Sequence, residues 1–375
     1  MSTSSVALDL TKDVVTLTAD LVNFPSESRH EQLLADAIAT ELAKVPALEL
    51  LRDGNTLVAR TNLGRAERVV IAGHIDTVPS SGNDTAVLVA PGGTAPVADV
   101  DGSLVASEER LYGLGSCDMK SGLAVLLHLA ATLEAPNRDI TFIAYDCEEI
   151  EAEFNGLKRV ADQHPDWLEG DFAVLMEPSN AVVEGGCQGT MRIEVRLSGR
   201  RAHTARAWMG TNAIHASREI LERLEKYEPR RVLIDGLEYR EGLQAVAISG
   251  GVAGNVVPDA CVVTINHRFA PDRDSKAAEA HLREVFAGFD ITVIDRVDGA
   301  LPGLDRPAAK AFVEAVGGTP TPKFGWTDVA RFSSLGTPAV NFGPASPMLA
   351  HAPNEFVPTE QIRSVESALR TWLTK

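Results

Sequence analysis

The sequence predicts an α/β fold with a mainly parallel sheet, interrupted by a smaller α+β domain. Two observations predict it. Up to about residue 181, and again from 296, apolar β-branched runs alternate with helix-length stretches, as βαβ units do. From 182 to 295 the strands instead alternate apolar with polar residues, as in Met191 to Leu197 (MRIEVRL), the pattern of one-sided antiparallel strands. The expected parts are therefore 1–181, an insert 182–295, and 296–375. A chain of 375 residues with 45% hydrophobic content suits two or three domains with sizeable cores.

The elements follow in order. Residues 10–46 read as helical, with Ser26 and Ser28 before HEQLLADAIATELAKV. Strands are expected near 56–61 and 68–73. Residues 79–110, rich in Pro, Gly, Asp and Ser, read as a long loop or small hairpin region. Lys120 to Leu133 is a helix with Leu123, Leu126, Leu127 and Ala130 on one face. Asp139 to Tyr145 (DITFIAY) is a buried strand, Leu157 to Gln163 a helix, and Phe172 to Met176 a strand. Within the insert come a strand at Met191 to Leu197, a helix at Thr211 to Lys226, and strands near 243–250 and 259–268. A helix at Ser275 to Phe286 and a strand at Asp290 to Ile294 close it. That order, β-α-β-β-α-β, is the split arrangement of a ferredoxin-like sandwich. The last part holds a helix at 307–316, a strand at 338–342 and a helix at 359–373.

Charge narrows the partners. The net charge of −17 repels phosphate backbones and anionic lipid, so neither nucleic acid nor a membrane surface is expected as a partner. The start, MSTSSVALDLTKDVV, lacks a basic segment before an apolar core and reads as a disordered tip without a signal peptide. The most apolar helical stretch, Leu123 to Leu133, contains His128 and is too short to span a bilayer. Cys117, Cys147, Cys187 and Cys261 form no CxxC and read as the reduced thiols of a cytoplasmic protein.

The chemistry-bearing residues cluster at strand ends. VVIAGHIDTVP places His74 and Asp76 two residues apart, on one side of an extended chain. Asp118 lies in LGSCDMKSG before a helix, Glu148 and Glu149 follow DITFIAY, Glu177 follows FAVLM, and His351 sits in LAHAPNE. Ligands of open α/β sheets bind at the carboxyl ends of strands, so these groups converge on one edge. Several buried carboxylates repel one another and call for a cation. Two imidazoles and three carboxylates carry −3, which two Zn²⁺ and a hydroxide bring near neutrality; cobalt or manganese are tolerable substitutes. Taken singly, each residue has a plainer reading. A lone histidine is usually structural, CEEIEAE suits an acidic helix start, and Glu177 an ordinary turn. Asp76 favours the ligand reading of His74, because metal-bound imidazoles donate their second N–H to carboxylates. GLGSCD lacks the glycine a dinucleotide turn needs where Asp118 stands, and there is no GxSxG elbow.

Taken together, AGHIDTVP, GLGSCDMKSG, DCEEIEAEFNG, MEPSN and HAPNE resemble the M20 family of metallo-aminopeptidases and deacylases, in order and over nearly the whole chain. The resemblance implies a zinc-exopeptidase-like α/β/α catalytic domain with an inserted dimerisation or lid domain. It implies that Asp118 bridges two zinc ions, with His74 and Glu177 completing one site and Glu149 and His351 the other. Glu148 is then the general base, Asp76 the partner of His74, and the Asp118–Met119 peptide cis. His203, in GRRAHTARAW, is implied to reach the other subunit's centre and stabilise an oxyanion, which requires a homodimer built through the insert. YDCEEIEAEFNGL, EGGCQGTMR, AHTARAWMGTNAIH and GGVAGNVVPD are most similar to the desuccinylases of actinobacterial type. That implies an anionic amide substrate, N-succinyl-LL-2,6-diaminopimelate, cut to succinate and LL-2,6-diaminopimelate. Arg268, Asn255, Arg331 and Thr327 are the candidate contacts to its carboxylates, since guanidinium pairs with carboxylate through two parallel hydrogen bonds. One departure stands out: Ile150 follows the acidic pair where the family commonly has glycine. Acetylornithine deacetylases, aminoacylases and dipeptidases share every metal ligand, so these motifs do not separate them. A silent binding protein on the same fold would lack a ligand or Glu148, and none is missing.

Overall fold

The computed structural model describes residues 8–99 and 101–375, so most of the Ser/Thr-rich tip lies outside the described residues. The chain forms two compact units: Met1–Gly185 with Gly303–Thr321 and Arg331–Lys375, and Gly186–Pro302 with Pro322–Ala330. The sequence boundaries at 181/182 and 295/296 fall a few residues before those at 185/186 and 302/303, and the return of 322–330 to the second unit carries no sequence signal.

In the first unit an eight-stranded sheet runs Glu49–Asp53, Thr56–Arg60, Asp139–Tyr145, Arg68–His74, Phe172–Leu175, Ala339–Asn341, Glu184–Gly185, Thr321–Pro322. Its centre is parallel: Arg68–His74 pairs in that sense with both Asp139–Tyr145 and Phe172–Leu175, which pairs onward with Ala339–Asn341. The flanking pairs are antiparallel. Every residue of Asp139–Tyr145 is buried, as a parallel strand covered on both faces requires. Helices Val14–Val22, Lys120–Thr132 and Thr359–Thr374 share one core with the sheet, through Leu17, Leu21, Leu123, Leu127, Val365 and Leu369 against Val69, Ile71, Ile140 and Phe142.

Several expectations need correcting. The long N-terminal helix is two, Val14–Val22 and Gln32–Leu42, broken around Pro25, whose ring and missing N–H stop the first. Ser26 and Ser28 do not cap the second; they are buried in the connection. Lys120–Thr132 buries ten residues and has no solvent face in its first two turns. The region 79–110 agrees with its reading as a long loop or small hairpin region: Val87–Val89 pairs antiparallel with Arg110–Tyr112, and the unforeseen part is a third strand, Phe356–Pro358.

The second unit has the expected split arrangement. Its antiparallel sheet runs Gly242–Gly250, Ala260–Phe269, Gly189–Ser198, Asp290–Val297. Ile193, Val195, Val263 and Ile265 pack against Ile220 of Arg218–Glu225 and Ala278 and Leu282 of Ser275–Val285. The helix expected over 211–226 is two, Ala213–Ala216 and Arg218–Glu225. A hairpin, Arg231–Ile234 with Leu237–Arg240, escaped the sequence reading, although its Asp235–Gly236 turn is a recognised hairpin signal. Both turn residues have positive φ, 48° and 81°.

Candidate metal centre

The parallel strands end together at one edge, and the candidate ligands hang from those ends. His74 closes its strand opposite Tyr145. On the other side Ala72 pairs with Leu175, and Met176 N donates to Ala72 O at 2.9 Å. Glu177 follows two residues after the end of that strand and is buried. Helix Lys120–Thr132 starts directly below: a Cβ on Gly122 would sit 2.1 Å from Met176 O, so only glycine lets the helix approach. The loop before it delivers Asp118, and the Asp118–Met119 peptide is cis. His351 comes from a loop in which it adopts φ 62°.

Asp118 lies between two imidazoles. Its Oδ1 is 3.1 Å from His74 Nε2 and its Oδ2 3.7 Å from His351 Nε2. His351 Nε2 is also 2.9 Å from Glu149 Oε2. Ligand atoms of His74, Asp118 and Glu149 all lie within 4.8 Å of one another. Electrostatics point the same way. Burial pushes the Glu149 carboxyl up, and the Asp118 charge adds to it against the pull of His351. The bond to Glu149 raises His351 to about 9 despite its partial burial. Burial opposes a charge on His74, yet Asp118 and Asp76 outweigh it and raise that pKa. The same arrangement that favours a proton here favours a bound cation. Imidazole and carboxylate donors grouped in this way fit a divalent metal site.

Asp76 does more than the sequence suggested. His74 Nδ1 lies 3.1 Å from the Asp76 backbone O and 3.5 Å from its Oδ1. The carboxylate accepts from Ser28 Oγ at 2.7 Å, Glu148 N at 3.0 Å and Glu149 N at 3.1 Å. It therefore fixes the backbone that presents the acidic pair as well as the ring. The departure at Ile150 leads into a turn in which Phe154 N donates to Glu151 O, and the Arg29 guanidinium stands 3.9 Å from the centre of the Phe154 ring.

Sequence reasoning missed three supports. Glu31 Oε1 accepts from Arg29 N and Cys147 N, holding the strand end before Glu148. Lys120 is buried with Nζ 2.7 Å from Phe24 O, and burial lowers it to about 7. Glu355 Oε1 accepts from Cys117 N at 2.8 Å and Asp118 N at 3.0 Å, while its backbone O accepts from Gly113 N. Only its place four residues after His351 in HAPNE was a signal, and the partner loop was not visible.

In the second unit, Ala202–His203 pairs with Val256–Val257, and Thr204 N donates to Asn255 O at 3.0 Å, which sets His203 and Asn255 side by side. His203 Nδ1 accepts from Ala205 N at 3.0 Å, so the neutral ring carries its proton on exposed Nε2. Arg268 lies on the sheet face away from the core helices, half-buried, with no carboxylate paired to it among the described residues; burial lowers its pKa. Thr327 is buried in this unit, whereas Arg331 opens a stretch of the first unit.

Comparison with known proteins decides the family. The sequence profile of "Peptidase family M20/M25/M40" matches residues 70–375. The chain belongs to peptidase family M20. It is therefore a hydrolase of that family. A relative from Mycobacterium tuberculosis, provisionally named a succinyl-diaminopimelate desuccinylase, is 50% identical over 369 residues, covering 98% of this chain and 99% of that protein. The succinyl-diaminopimelate desuccinylase of Corynebacterium glutamicum is 44% identical over 379 residues, with 98% of each covered. Among solved structures, a tripeptidase from Staphylococcus aureus shares the fold at TM-score 0.76 and 19% identity, covering 98% of each chain. A Bacillus subtilis protein described as a dinuclear metal-binding peptidase of the M20 family does so at TM-score 0.66 and 17% identity, covering 97% of this chain and 98% of that one.

The M20 centre gives an early test of Glu355. Glu355→Ala removes the acceptor for two consecutive N–H groups, those of Cys117 and Asp118. It is expected to weaken metal binding about 10–100-fold, as supporting shells of metal sites do. Glu355→Gln keeps an acceptor oxygen and is expected to stay closer to the parent. Isothermal titration with zinc checks both.

Proposed function

We propose that this M20 hydrolase is a succinyl-diaminopimelate desuccinylase, a two-metal amidohydrolase that cuts N-succinyl-LL-2,6-diaminopimelate into succinate and LL-2,6-diaminopimelate. The observation that carries the substrate assignment is the 50% and 44% identity, over nearly full length, to relatives bearing that name. The convergence of His74, Asp118, Glu149 and His351 supports the metal-dependent chemistry. In this reading His74 and Glu177 hold one ion, Glu149 and His351 the other, and Asp118 both. Zinc suits the donor set, with cobalt or manganese as substitutes. When bound, the ions supply Lewis acidity at the scissile carbonyl.

The chain's own groups do the rest. Glu148 takes a proton from the attacking water, whose oxygen adds to the succinyl carbonyl carbon. The same carboxyl returns the proton to the leaving nitrogen as the C–N bond breaks. Asp76 keeps Glu148 placed through its backbone N–H. His203, with the proton on Nε2, donates to the developing oxyanion from the partner subunit. Arg268, Asn255, Thr327 and Arg331 bind the substrate's carboxylates. The protein works in the cytoplasm; its four cysteines, all buried, fit a reducing compartment. No described helix is long and apolar enough to cross a membrane.

Dimerisation through the second unit is supported by its outer edge. Strand Gly242–Gly250 ends the sheet, and residues 244–250 are all exposed. Val246 and Ile248 are 58% and 52% exposed, and Ile214 and Leu221 on the neighbouring helices are exposed too. A long apolar sheet edge is normally covered. Val246→Lys with Ile248→Lys is expected to give a monomer by light scattering and to lower kcat about 100-fold or more, since each centre loses its partner's oxyanion donor. A fully active monomer contradicts both the dimer and the role of His203. The desuccinylase reading itself is tested by assaying zinc-loaded protein on N-succinyl and N-acetyl substrates side by side.

A further inference from the structure

We infer that Arg206 and Arg200 form an anion-binding cleft beside His203 that takes a carboxylate of the substrate. A cavity of about 530 Å³ is lined by Arg200, Arg201, His203, Arg206, Trp208 and Met209, with no acidic side chain among the lining residues. In a chain with 52 acidic and 35 basic residues, three guanidiniums around one cleft without a lining carboxylate are a local reversal of charge. Arg201 is already engaged, with two hydrogen bonds of 2.9 and 3.0 Å to Asp259. Arg200 and Arg206 are exposed and make no ion pair among the described residues, so their donors are available. The backbone presents them. The short 3₁₀ stretch Thr204–Met209 breaks at Arg206 (φ −132°, ψ 47°). Arg200 is held in an antiparallel bridge to Thr211.

Two features make this a ligand site of stated chemistry. Trp208, 79% exposed, supplies an apolar wall next to the cations, which suits a short methylene chain ending in a carboxylate. His203 and Asn255 share the same small sheet region. The inference deepens the desuccinylase reading and rests on it: where His203 meets the scissile amide, Arg206 and Arg200 meet a carboxylate a few bonds away. Planar guanidinium pairs with that group through two parallel hydrogen bonds. Lysine would supply the charge without the fork.

The test uses the full-length, zinc-loaded protein. Arg206→Gln is expected to raise KM for N-succinyl-LL-2,6-diaminopimelate about tenfold or more with a smaller change in kcat, and Arg206→Lys to recover part of it. Arg206 is exposed, so the variant should match the parent in thermal unfolding. A separate titration with succinate, read by tryptophan fluorescence with Trp208→Phe as control, is expected to show binding that Arg206→Gln weakens about tenfold. A variant KM within twofold of the parent, or succinate binding unchanged by the substitution, overturns the cleft. If the parent does not cleave the N-succinyl substrate while Arg206→Gln still weakens succinate binding, the desuccinylase reading falls and the anion site stands.

Discussion

Glu148→Gln is expected to lower kcat on N-succinyl-LL-2,6-diaminopimelate about 1,000-fold while both metal ions stay bound, within the range of 10²–10⁴ for a lost general base. Gln has the shape of Glu but cannot take a proton from water at neutral pH. The substitution leaves Glu149 and the other ligands in place. It also leaves the backbone N–H of residue 148 on Asp76 Oδ1, 3.0 Å away, so the loop keeps its position. The loss should fall on kcat and kcat/KM alike, the signature of a group that acts in the transition state. Turnover near that of the parent, at two metals per subunit, contradicts the role.

Asp118→Asn is expected to reduce the metal content from two ions per subunit to one or none and to bring activity to the metal-free background. Asp118 is the residue between the imidazoles, 3.1 Å from His74 and 3.7 Å from His351. The amide keeps the volume but loses the charge and one of the two acceptor oxygens. It leaves two centres to share a ligand that can serve only one of them. His74→Ala should cost a single ion, because it opens one side only. Elemental analysis of dialysed protein distinguishes the two variants. An Asp118→Asn protein that retains two ions contradicts a shared carboxylate.

Much of the fold was legible because its central strands are short, mostly apolar and cleanly bounded, and those of the insert alternate. Asp139–Tyr145 was read residue for residue, since seven buried positions leave no competing pattern. Boundaries failed where a tertiary partner decides them. The helix expected across 10–46 breaks at a connection that Ser28 ties to Asp76, 48 residues on. The small sheet of Val87–Val89 and Arg110–Tyr112 needs Phe356–Pro358 from the far end of the chain. At the centre, the candidate ligands stood out only as a set: singly each has a plainer reading, and their roles come from motifs that resemble one family in order. Their supports did not stand out. Glu355 and Glu31 act through backbone N–H groups, and any acidic residue at the right place would do, so residue type alone carries no mark of the role. Arg206 was passed over for a similar reason: an arginine beside two others reads as solvated surface until the cleft around it is seen.

The central claim is that this chain hydrolyses an N-succinyl amide at a two-metal centre. The most direct measurement is product formation by the zinc-loaded protein on N-succinyl-LL-2,6-diaminopimelate and on N-acetylornithine, each with and without chelator. The account predicts chelator-sensitive release of succinate and LL-2,6-diaminopimelate, with kcat/KM at least about 100-fold above that for the acetyl substrate, as lost charge-assisted contacts to a carboxylate would give. Equal or faster cleavage of the acetyl substrate, or succinate release that survives removal of the metals, would contradict it.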